Sequence, residues 1–461
     1  MNETVAGKAF ATGGAALAPL TSGLKLRYAL GQLGWSILSG IIQVWLVWFY
    51  NPPSTVPIPE LIPRGAVLGF LTLIGLITMA GRFTDAITDP WIAALSDSSR
   101  NPKGRRIPFM AKASLPFAGL TVLCFCPPAP AGSWINIVWL TVTLLAYYVF
   151  YTLYVAPYFA LTSELGRTAQ ERIDLSTWIA LTWFLGYIVA SAAAFIWPVF
   201  QSLGLDLASS IRLTFALLSL IGLGLLLVPV LTIDERKHVH STPVTVDFGR
   251  MARRILSNRN FVLFEVFFLA YSVAITIFQT GNVYYVTVLL GMGETWVTAI
   301  TAASGIMAFL LYPAVNVLAK RLGKKPLCMV AMVMLVLAYG WCSLLGMLPL
   351  PAVLQAAIFV LFAGIGFAVF GILPNAIAAD FAKADAARTG DNMEGMYFAL
   401  QTFMSKLGQM VAMVLFGSIL LLGKEVGHDL GVRMTGVVAA CIGMVALAIF
   451  TRYRDEKVEA P

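Results

Sequence analysis

The sequence predicts an all-α membrane protein of twelve transmembrane helices in two six-helix bundles. Apolar residues make up 59% and charged residues 12% of the 461 residues, which is not the composition of a soluble domain. Apolar windows of about 20 residues, enough to cross a bilayer, recur along the chain, and one long polar stretch divides them six and six. The expected spans are 28–50, 66–96, 108–128, 134–163, 174–200, 211–233, 260–289, 295–319, 327–347, 351–380, 394–423 and 432–452.

Basic residues collect in alternate connections between these spans, which predicts the orientation of the chain. They include Arg100, Lys103, Arg105 and Arg106 after the second span, Arg167 and Arg172 after the fourth, and Lys320, Arg321, Lys324 and Lys325 after the eighth. Lys424 and Arg433 are exceptions. We expect a multi-pass protein of the plasma (inner) membrane with both termini in the cytoplasm. The formal charge of +8 then reflects these loops, and no nucleic-acid partner is expected.

The longest polar stretch within the body, from Asp234 to Arg259, is a central basic loop between two sets of six spans. This layout is typical of the major facilitator architecture. A basic-glycine-basic turn follows both the second and the eighth span, at matching places in the two halves. The predicted divisions are an N-terminal tail 1–27, a bundle 28–233, a loop 234–258, a bundle 259–453 and a C-terminal tail 454–461.

Enzyme chemistry finds no support in the residues. The three histidines, His238, His240 and His428, fall in loops, so no intramembrane pair is available for metal or acyl chemistry. The glycine-rich stretches lack the lysine and serine of a nucleotide-binding loop. We expect no enzyme activity, no cofactor, and no metal site apart from a coupling ion.

Four charged residues lie deep within the predicted spans: Arg82, Asp85 and Asp89 in the second, and Lys406 in the eleventh. Asp85 and Asp89 are four residues apart, which puts them on one helix face. An ionised aspartate at the bilayer centre costs about 2.5–3.5 kcal/mol, so the pair should face a polar cavity and a positive charge. Lys406 is too far from either end of its span to reach water comfortably. We therefore expect Lys406 to meet the two aspartates across the bundle.

Two acids and one lysine leave a net charge of −1, which one Na⁺ or one proton neutralises. If Arg82 also faces the cavity, the empty site is already neutral; alternatively, Arg82 belongs to a gate nearer one mouth. Oxygen ligands favour Na⁺ over H⁺, and Thr88 and Thr152 supply them. A static ion pair joining the two bundles is the structural alternative. The predicted cation site is Asp85, Thr88, Asp89 and Thr152, with Lys406 and Arg82 as coupling residues.

The segment from Gly81 to Pro90, with the loop Lys103-Gly104-Arg105-Arg106-Ile107-Pro108, resembles the second-helix signature of the glycoside–pentoside–hexuronide:cation symporters. Lys25-Leu26-Arg27-Tyr28, Glu171-Arg172 and Lys406 also match that family. The resemblance covers most of the chain and implies a cation-coupled symporter with the major facilitator fold. It also implies that Asp85, Thr88, Asp89 and Thr152 surround the ion, with Lys406 beside it.

The sequence departs from this family where a sugar is held. The family uses an aspartate on the first helix, an aspartate on the fourth and an arginine on the fifth, and matching of the motifs puts Ser36, Val155 and Ala180 there. These side chains lack the charge that replaces water around sugar hydroxyls. Aromatic residues remain nearby and suit a sugar face or an apolar substrate. The predicted substrate cavity is lined by Trp35, Ser36, Tyr151, Tyr154, Val155, Tyr158, Phe159 and Trp178.

We therefore predict a monomeric secondary symporter in the lipid bilayer, which couples Na⁺ or H⁺ to a small organic or amphipathic solute by alternating access. One alternative is a sodium-dependent transporter of lysolipids or other amphipathic substrates; others are a uniporter and a receptor or assembly factor without transport. The predicted cytoplasmic gate consists of Asp97, Arg100, Lys103, Arg105 and Arg106.

Overall fold

The computed structural model describes residues 20–63, 66–67, 71–99, 101–102, 104–166, 169–235, 253–389 and 394–454, which form an all-α membrane protein. The first half contains α1 Ser22–Tyr50, α2 Leu73–Asp97, α3 Ile107–Leu123, α4 Trp134–Leu165, α5 Ala169–Ser191, α6 Trp197–Ser202 and α7 Leu207–Thr232. The second half contains α8 Arg259–Tyr284, α9 Thr295–Leu322, α10 Lys324–Leu344, α11 Ala352–Phe370, α12 Leu373–Thr389, α13 Glu394–Ile419 and α14 Leu430–Phe450. A short antiparallel pair, β1 Ala66–Val67 and β2 Leu71–Thr72, precedes α2.

Ten helical segments of the described residues are long and apolar enough to cross a membrane. Two predicted spans fall outside this set. α3 has 17 residues, and α2 carries Arg82, Asp85 and Asp89 in its middle. The all-helical membrane architecture is confirmed, whereas the count of twelve spans stays a prediction.

Three boundaries differ from the predicted ones for local reasons. α1 begins at Ser22, inside the predicted tail, because the Thr21 side chain caps it by accepting the Leu24 N–H. The second span opens with the β pair, and α2 starts only at Leu73 after the Thr72 cap. The tenth span is broken after Phe370 and resumes as α12 at Leu373, close to Pro374, which has no N–H to continue the earlier helix.

Packing of α2 positions the charged residues of the second span. α2 packs on α4 in its own half and on α13 in the other half. Gly75 and Gly417 permit the close approach to α13, since a Cβ on Gly417 would lie 3.1 Å from the Cα of Gly75. The two halves also meet where α1 packs on α8 and α5 on α9. The division into two bundles stays a prediction, because most of its central loop, 236–252, lies outside the described residues.

Candidate functional site

Lys406 on α13 connects the two aspartates of α2. Its Nζ lies 2.8 Å from Asp85 Oδ1 and 2.5 Å from Asp89 Oδ2. Asp85 is 1% exposed, whereas the Asp89 side chain is 31% exposed. This three-residue cluster, called here the carboxylate–lysine cluster, joins the two halves of the molecule. Its ion pairs agree with the contact that the spacing of the charges predicts.

Two threonine hydroxyls extend the cluster toward α4. Thr152 Oγ1 donates to Asp85 Oδ1 at 2.7 Å and lies 2.9 Å from the carbonyl of Tyr148. Thr88 Oγ1 lies 3.2 Å from Thr152 Oγ1 and donates to the carbonyl of Thr84 at 2.8 Å. Asp85 Oδ2 is buried and accepts no hydrogen bond from any described residue. The cluster therefore presents one carboxylate oxygen that accepts no hydrogen bond, on a carboxylate whose other oxygen is bonded by a hydroxyl.

Arg82 lies beside the cluster, and its place bears on the two alternatives for its role. Its guanidinium is 3.9 Å from Asp85 Oδ2, and its Cζ lies 5.0 Å from the centre of the Tyr148 ring. Arg82 is 8% exposed. When all four side chains are ionised, the two acids and two bases sum to zero net charge, so an added cation competes with the bases for the carboxylates.

The oxygen atoms around Asp85 fit a small hard cation. Carboxylate and hydroxyl oxygens are the ligands that such ions prefer. Asp85 Oδ2 accepts no hydrogen bond from the described residues, and Arg82 contacts it only at 3.9 Å. The Lys406 ammonium lies between the two carboxylates, where a cation would also bind. Asp85, Asp89 and the threonines are thus the residues that could hold a cation, and the Lys406 ammonium occupies the same place.

A cavity of about 570 Å³ lies between the two halves. Trp35 and Phe159 line it, as predicted for the substrate cavity, together with Ala180. Two further lining residues are Gln32, on the same helix as Trp35, and Asn375 on α12. Among the described residues that line the cavity, none carries a charge. Its polar groups are hydroxyls, amides and two indoles, and its remaining wall is aromatic and aliphatic.

Two polar atoms of the cavity wall are buried and have no hydrogen-bond partner among the described residues. They are the Oε1 acceptor of Gln32 and the Nε1 donor of Trp35. The two residues are three positions apart on α1, which puts them on one face. An unsatisfied donor and an unsatisfied acceptor side by side complement a solute that has hydroxyl groups.

The other residues predicted for the cavity do not line it. Tyr154 donates to the carbonyl of Leu226 at 3.0 Å, and Tyr158 stacks on Tyr28 with ring centres 4.2 Å apart, so both hold helices together. Tyr151 packs edge-on against Trp35, with ring centres 5.9 Å apart, and is not among the described lining residues. Three more are absent from the wall of described residues: Ser36, packed against Gly186, the buried Val155, and Trp178, which is 36% exposed.

Arg105 and Arg106 of the predicted gate pair with acids of their own half. Both contact Glu164 Oε1 at the end of α4, at 3.1 Å and 2.9 Å. Their backbone N–H groups donate to Glu235 at 2.7 Å and 2.9 Å. The corresponding turn of the second half is arranged alike, since Lys324 pairs with Asp380. Arg100 and Lys103, and the side chain of Asp97, lie outside the described residues.

The two halves are hydrogen-bonded at the end predicted to face outward. Tyr284 donates to the carbonyl of Asn51 at 2.8 Å, and Lys424 donates to the side chain of Asn51 at 2.5 Å. Thr298 of α9 donates to the carbonyl of Ser191 at 2.9 Å. Toward the predicted cytoplasmic end, the cavity reaches Thr162 and Asn375. This arrangement corresponds to a conformation closed on the outward side.

Sequence reasoning missed Gln32, Glu164 and Glu235. The available signals were weak. Gln32 is a polar residue in an apolar span, one turn before Trp35, and the two acids stand at span ends that face the same side as the basic turns. Neither signal says which partner a side chain meets.

The buried charges on facing helices and the cavity between two halves define a membrane transporter. Residues 27–429 match the model of the family described as MFS/sugar transport protein, and the chain belongs to this family. The chain is 25% identical over 406 residues to the "Uncharacterized symporter YnaJ" of Bacillus subtilis, covering 86% of this chain and 82% of that protein. It is 24% identical over 411 residues to the "Putative glycoside/cation symporter YagG" of Escherichia coli, covering 87% and 83%.

The fold is also that of solved transporters. The crystal structure of a D-xylose-proton symporter superposes with a TM-score of 0.67 at 14% identity, covering 94% of this chain and 98% of that chain. These similarities confirm the resemblance to the glycoside–pentoside–hexuronide:cation symporters and the prediction of a transporter rather than an enzyme.

Proposed function

We propose that this protein couples the entry of Na⁺ or H⁺ to the uptake of a neutral, hydroxyl-bearing solute such as a glycoside. The carboxylate–lysine cluster carries the proposal, because it combines two carboxylates, which suit a cation, with a contact between the two halves. Binding or release of a cation at the cluster therefore changes the contact between the two halves. The name of the YagG relative supports a glycoside and a cation.

The coupling follows from competition at the cluster. A cation bound by Asp85 and Asp89 weakens their hold on Lys406, and this loosens the tie between α2 and α13. The halves then rock around the cavity, as in alternating access. Because linkage is reciprocal, the cation raises solute affinity by the same factor by which the solute raises cation affinity.

The solute is recognised by neutral groups. Gln32 and Trp35 supply an acceptor and a donor, and the aromatic wall packs on the faces of sugar rings. Charged solutes are disfavoured, because the described lining offers no counter-charge. This neutral set takes the place of the charged sugar ligands that Ser36, Val155 and Ala180 do not provide.

An amphipathic solute is the second candidate. The cavity wall is largely apolar, with Trp183, Phe184, Phe278 and Phe309 among its members. A glycoside with an apolar aglycone, or a lysolipid, would use this surface together with the polar face of α1.

The protein is further proposed to work as a monomer in the inner membrane with both termini in the cytoplasm. The bundles 28–233 and 259–453 are the moving bodies in this proposal. Arg105 and Arg106 fix the turn between α2 and α3 to Glu164 and Glu235, so that this turn moves with its bundle.

Proteoliposomes test the proposal. Uptake of radiolabelled glycosides and of a lysolipid is measured under an inward Na⁺ gradient, an inward proton gradient, and neither. We expect one gradient to drive accumulation of a neutral solute, and Asp89→Asn to abolish it. Uptake that ignores both gradients would indicate a uniporter and overturn the coupling.

The solute site has its own test. Gln32→Leu removes one neutral hydrogen bond, worth about 0.5–1.5 kcal/mol, and is expected to weaken solute binding by up to about tenfold. Gln201→Leu, on the exposed face of α6, is the matched control. If the two variants bind the solute with equal affinity, Gln32 is not part of the solute site.

A further inference from the structure

Glu265 is a buried acid that the proposed transport site does not use. It lies in the second turn of α8 and is 1% exposed. Both of its carboxyl oxygens are buried and have no hydrogen-bond partner among the described residues. It belongs neither to the carboxylate–lysine cluster nor to the wall of the cavity.

The packing of α8 on α13 shows which residue of α13 lies at the level of Glu265. The rings of Phe261 and Tyr397 have centres 4.9 Å apart. Further along, a Cβ on Gly408 would lie 2.7 Å from Ser272 Cβ. The two helices thus run parallel with one constant register between these contacts. Four residues beyond Phe261 and Tyr397, Glu265 and Gln401 occupy the same level.

Gln401 is also buried and incompletely bonded. It is 4% exposed, and its Nε2 donor has no partner among the described residues. An acid and an amide donor therefore share one level of a helix interface that aromatic rings close on the predicted cytoplasmic side. Buried polar groups without partners are rare, and each calls for a ligand or a role.

No described base neutralises Glu265. On α13, Lys406 is taken by Asp85 and Asp89, and on α8 itself Arg259 lies at the exposed start of the helix. Tyr397 on α13 and Tyr453 after α14 contact the rings at the start of α8. Charged residues on the surrounding helices pair elsewhere: Asp380 and Asp385 on α12 with Lys324 and Arg254, Lys25 on α1 with Asp174, and Arg433 on α14 with Asp429. A carboxylate in this interior without a partner is strongly disfavoured. The neutral acid, with a bound proton, is the form that fits these surroundings.

We propose that Glu265 is a second ion-binding position of this transporter, a proton site at the α8–α13 interface. It holds a proton while the outward side is closed and releases it to water when α8 and α13 separate from α1 and α2 of the other half. Gln401 and Lys406 both lie on α13. Displacement of Lys406 by the coupling cation therefore also moves the helix that packs over Glu265. The release step rests on the proposed alternating-access function, whereas proton occupancy in the present conformation does not.

Infrared spectroscopy of the purified full chain tests occupancy without any transport. Wild-type protein at neutral pH is expected to show the C=O stretching band of a buried neutral carboxyl group, and Glu265→Gln to lose it. Glu294→Gln, at the start of α9, is the matched control and should keep the band. Identical spectra of wild type and Glu265→Gln would overturn the proton site.

Solute counterflow in proteoliposomes tests release, since exchange needs no ion gradient. Wild-type exchange should slow at alkaline pH, and Glu265→Gln should flatten this profile, because glutamine imitates the neutral acid at every pH. Glu265→Asp keeps a titratable group and should restore a pH dependence. If the exchange rate of Glu265→Gln depends on pH as the wild-type rate does, Glu265 does not release its proton during transport. If wild-type protein shows no gradient-driven uptake, the proposed symport is contradicted, whereas the infrared result on proton occupancy remains valid.

Discussion

Replacing Lys406 with methionine removes the only base that contacts both Asp85 and Asp89 among the described residues. Methionine keeps the length and much of the apolar volume of the lysine stem. Breaking a buried ion pair by removing one partner costs about 3–5 kcal/mol. Because the Asp89 side chain is 31% exposed and partly screened, we expect the lower figure, about 3 kcal/mol of unfolding free energy without cation.

Binding of the coupling cation should restore most of this lost unfolding free energy. A cation at about 100 times its Kd stabilises the protein by about 2.7 kcal/mol. In Lys406→Met the cation no longer competes with an ammonium group, so its Kd should fall by tenfold or more, as about 1.4 kcal/mol changes an equilibrium tenfold. Coupled uptake should nevertheless be lost, since the tie that the ion releases is gone.

Thermal unfolding of wild type, Lys406→Met and the control Lys383→Met measures this effect. Lys383 is exposed on α12, so its variant should follow wild type. Titration with Na⁺ at fixed pH, and with protons at zero Na⁺, identifies the ion that rescues Lys406→Met. If Lys406→Met unfolds at the wild-type temperature and neither ion raises that temperature more than in wild type, Lys406 does not compete with a cation for Asp85 and Asp89.

Two further substitutions probe the ion site and the outer contact. Thr152→Val removes the hydroxyl that bonds Asp85 and should weaken cation binding by about tenfold or more, since hydrogen bonds to charged groups contribute about 1.5–3 kcal/mol. Calorimetry against Thr141→Val, whose hydroxyl bonds only its own helix among the described residues, measures the difference; equal affinities would contradict it. Tyr284→Phe loses about 1 kcal/mol of contact with Asn51 and should shift the population away from the outward-closed state by about fivefold. Alkylation of a Ser176→Cys reporter in the cavity should then slow, and an unchanged rate would contradict the role of this contact.

The ion pairs of the cluster were predictable because they follow from one energetic cost and one rule of helix geometry. Charges inside a bilayer need partners, and an i, i+4 spacing puts two acids on one helix face. With few deep charges, Lys406 had few partners available. The cavity was predicted less well. Trp35 and Phe159 line it, but Tyr154 and Tyr158 turn toward neighbouring helices, and no periodicity in a uniformly apolar span distinguishes these directions.

The membrane class, the family and the contact of Lys406 with Asp85 and Asp89 were predictable from the amino-acid sequence alone. Composition, span length and the cost of buried charge act locally and leave few solutions. Three features follow only from the three-dimensional packing: Arg82 lies beside the cluster, Gln32 and Trp35 leave unpaired polar atoms at the cavity, and Glu265 lies at the level of Gln401 in the α8–α13 interface. These facts depend on helix rotation and register, which are set by the close packing of many side chains and by glycines such as Gly408.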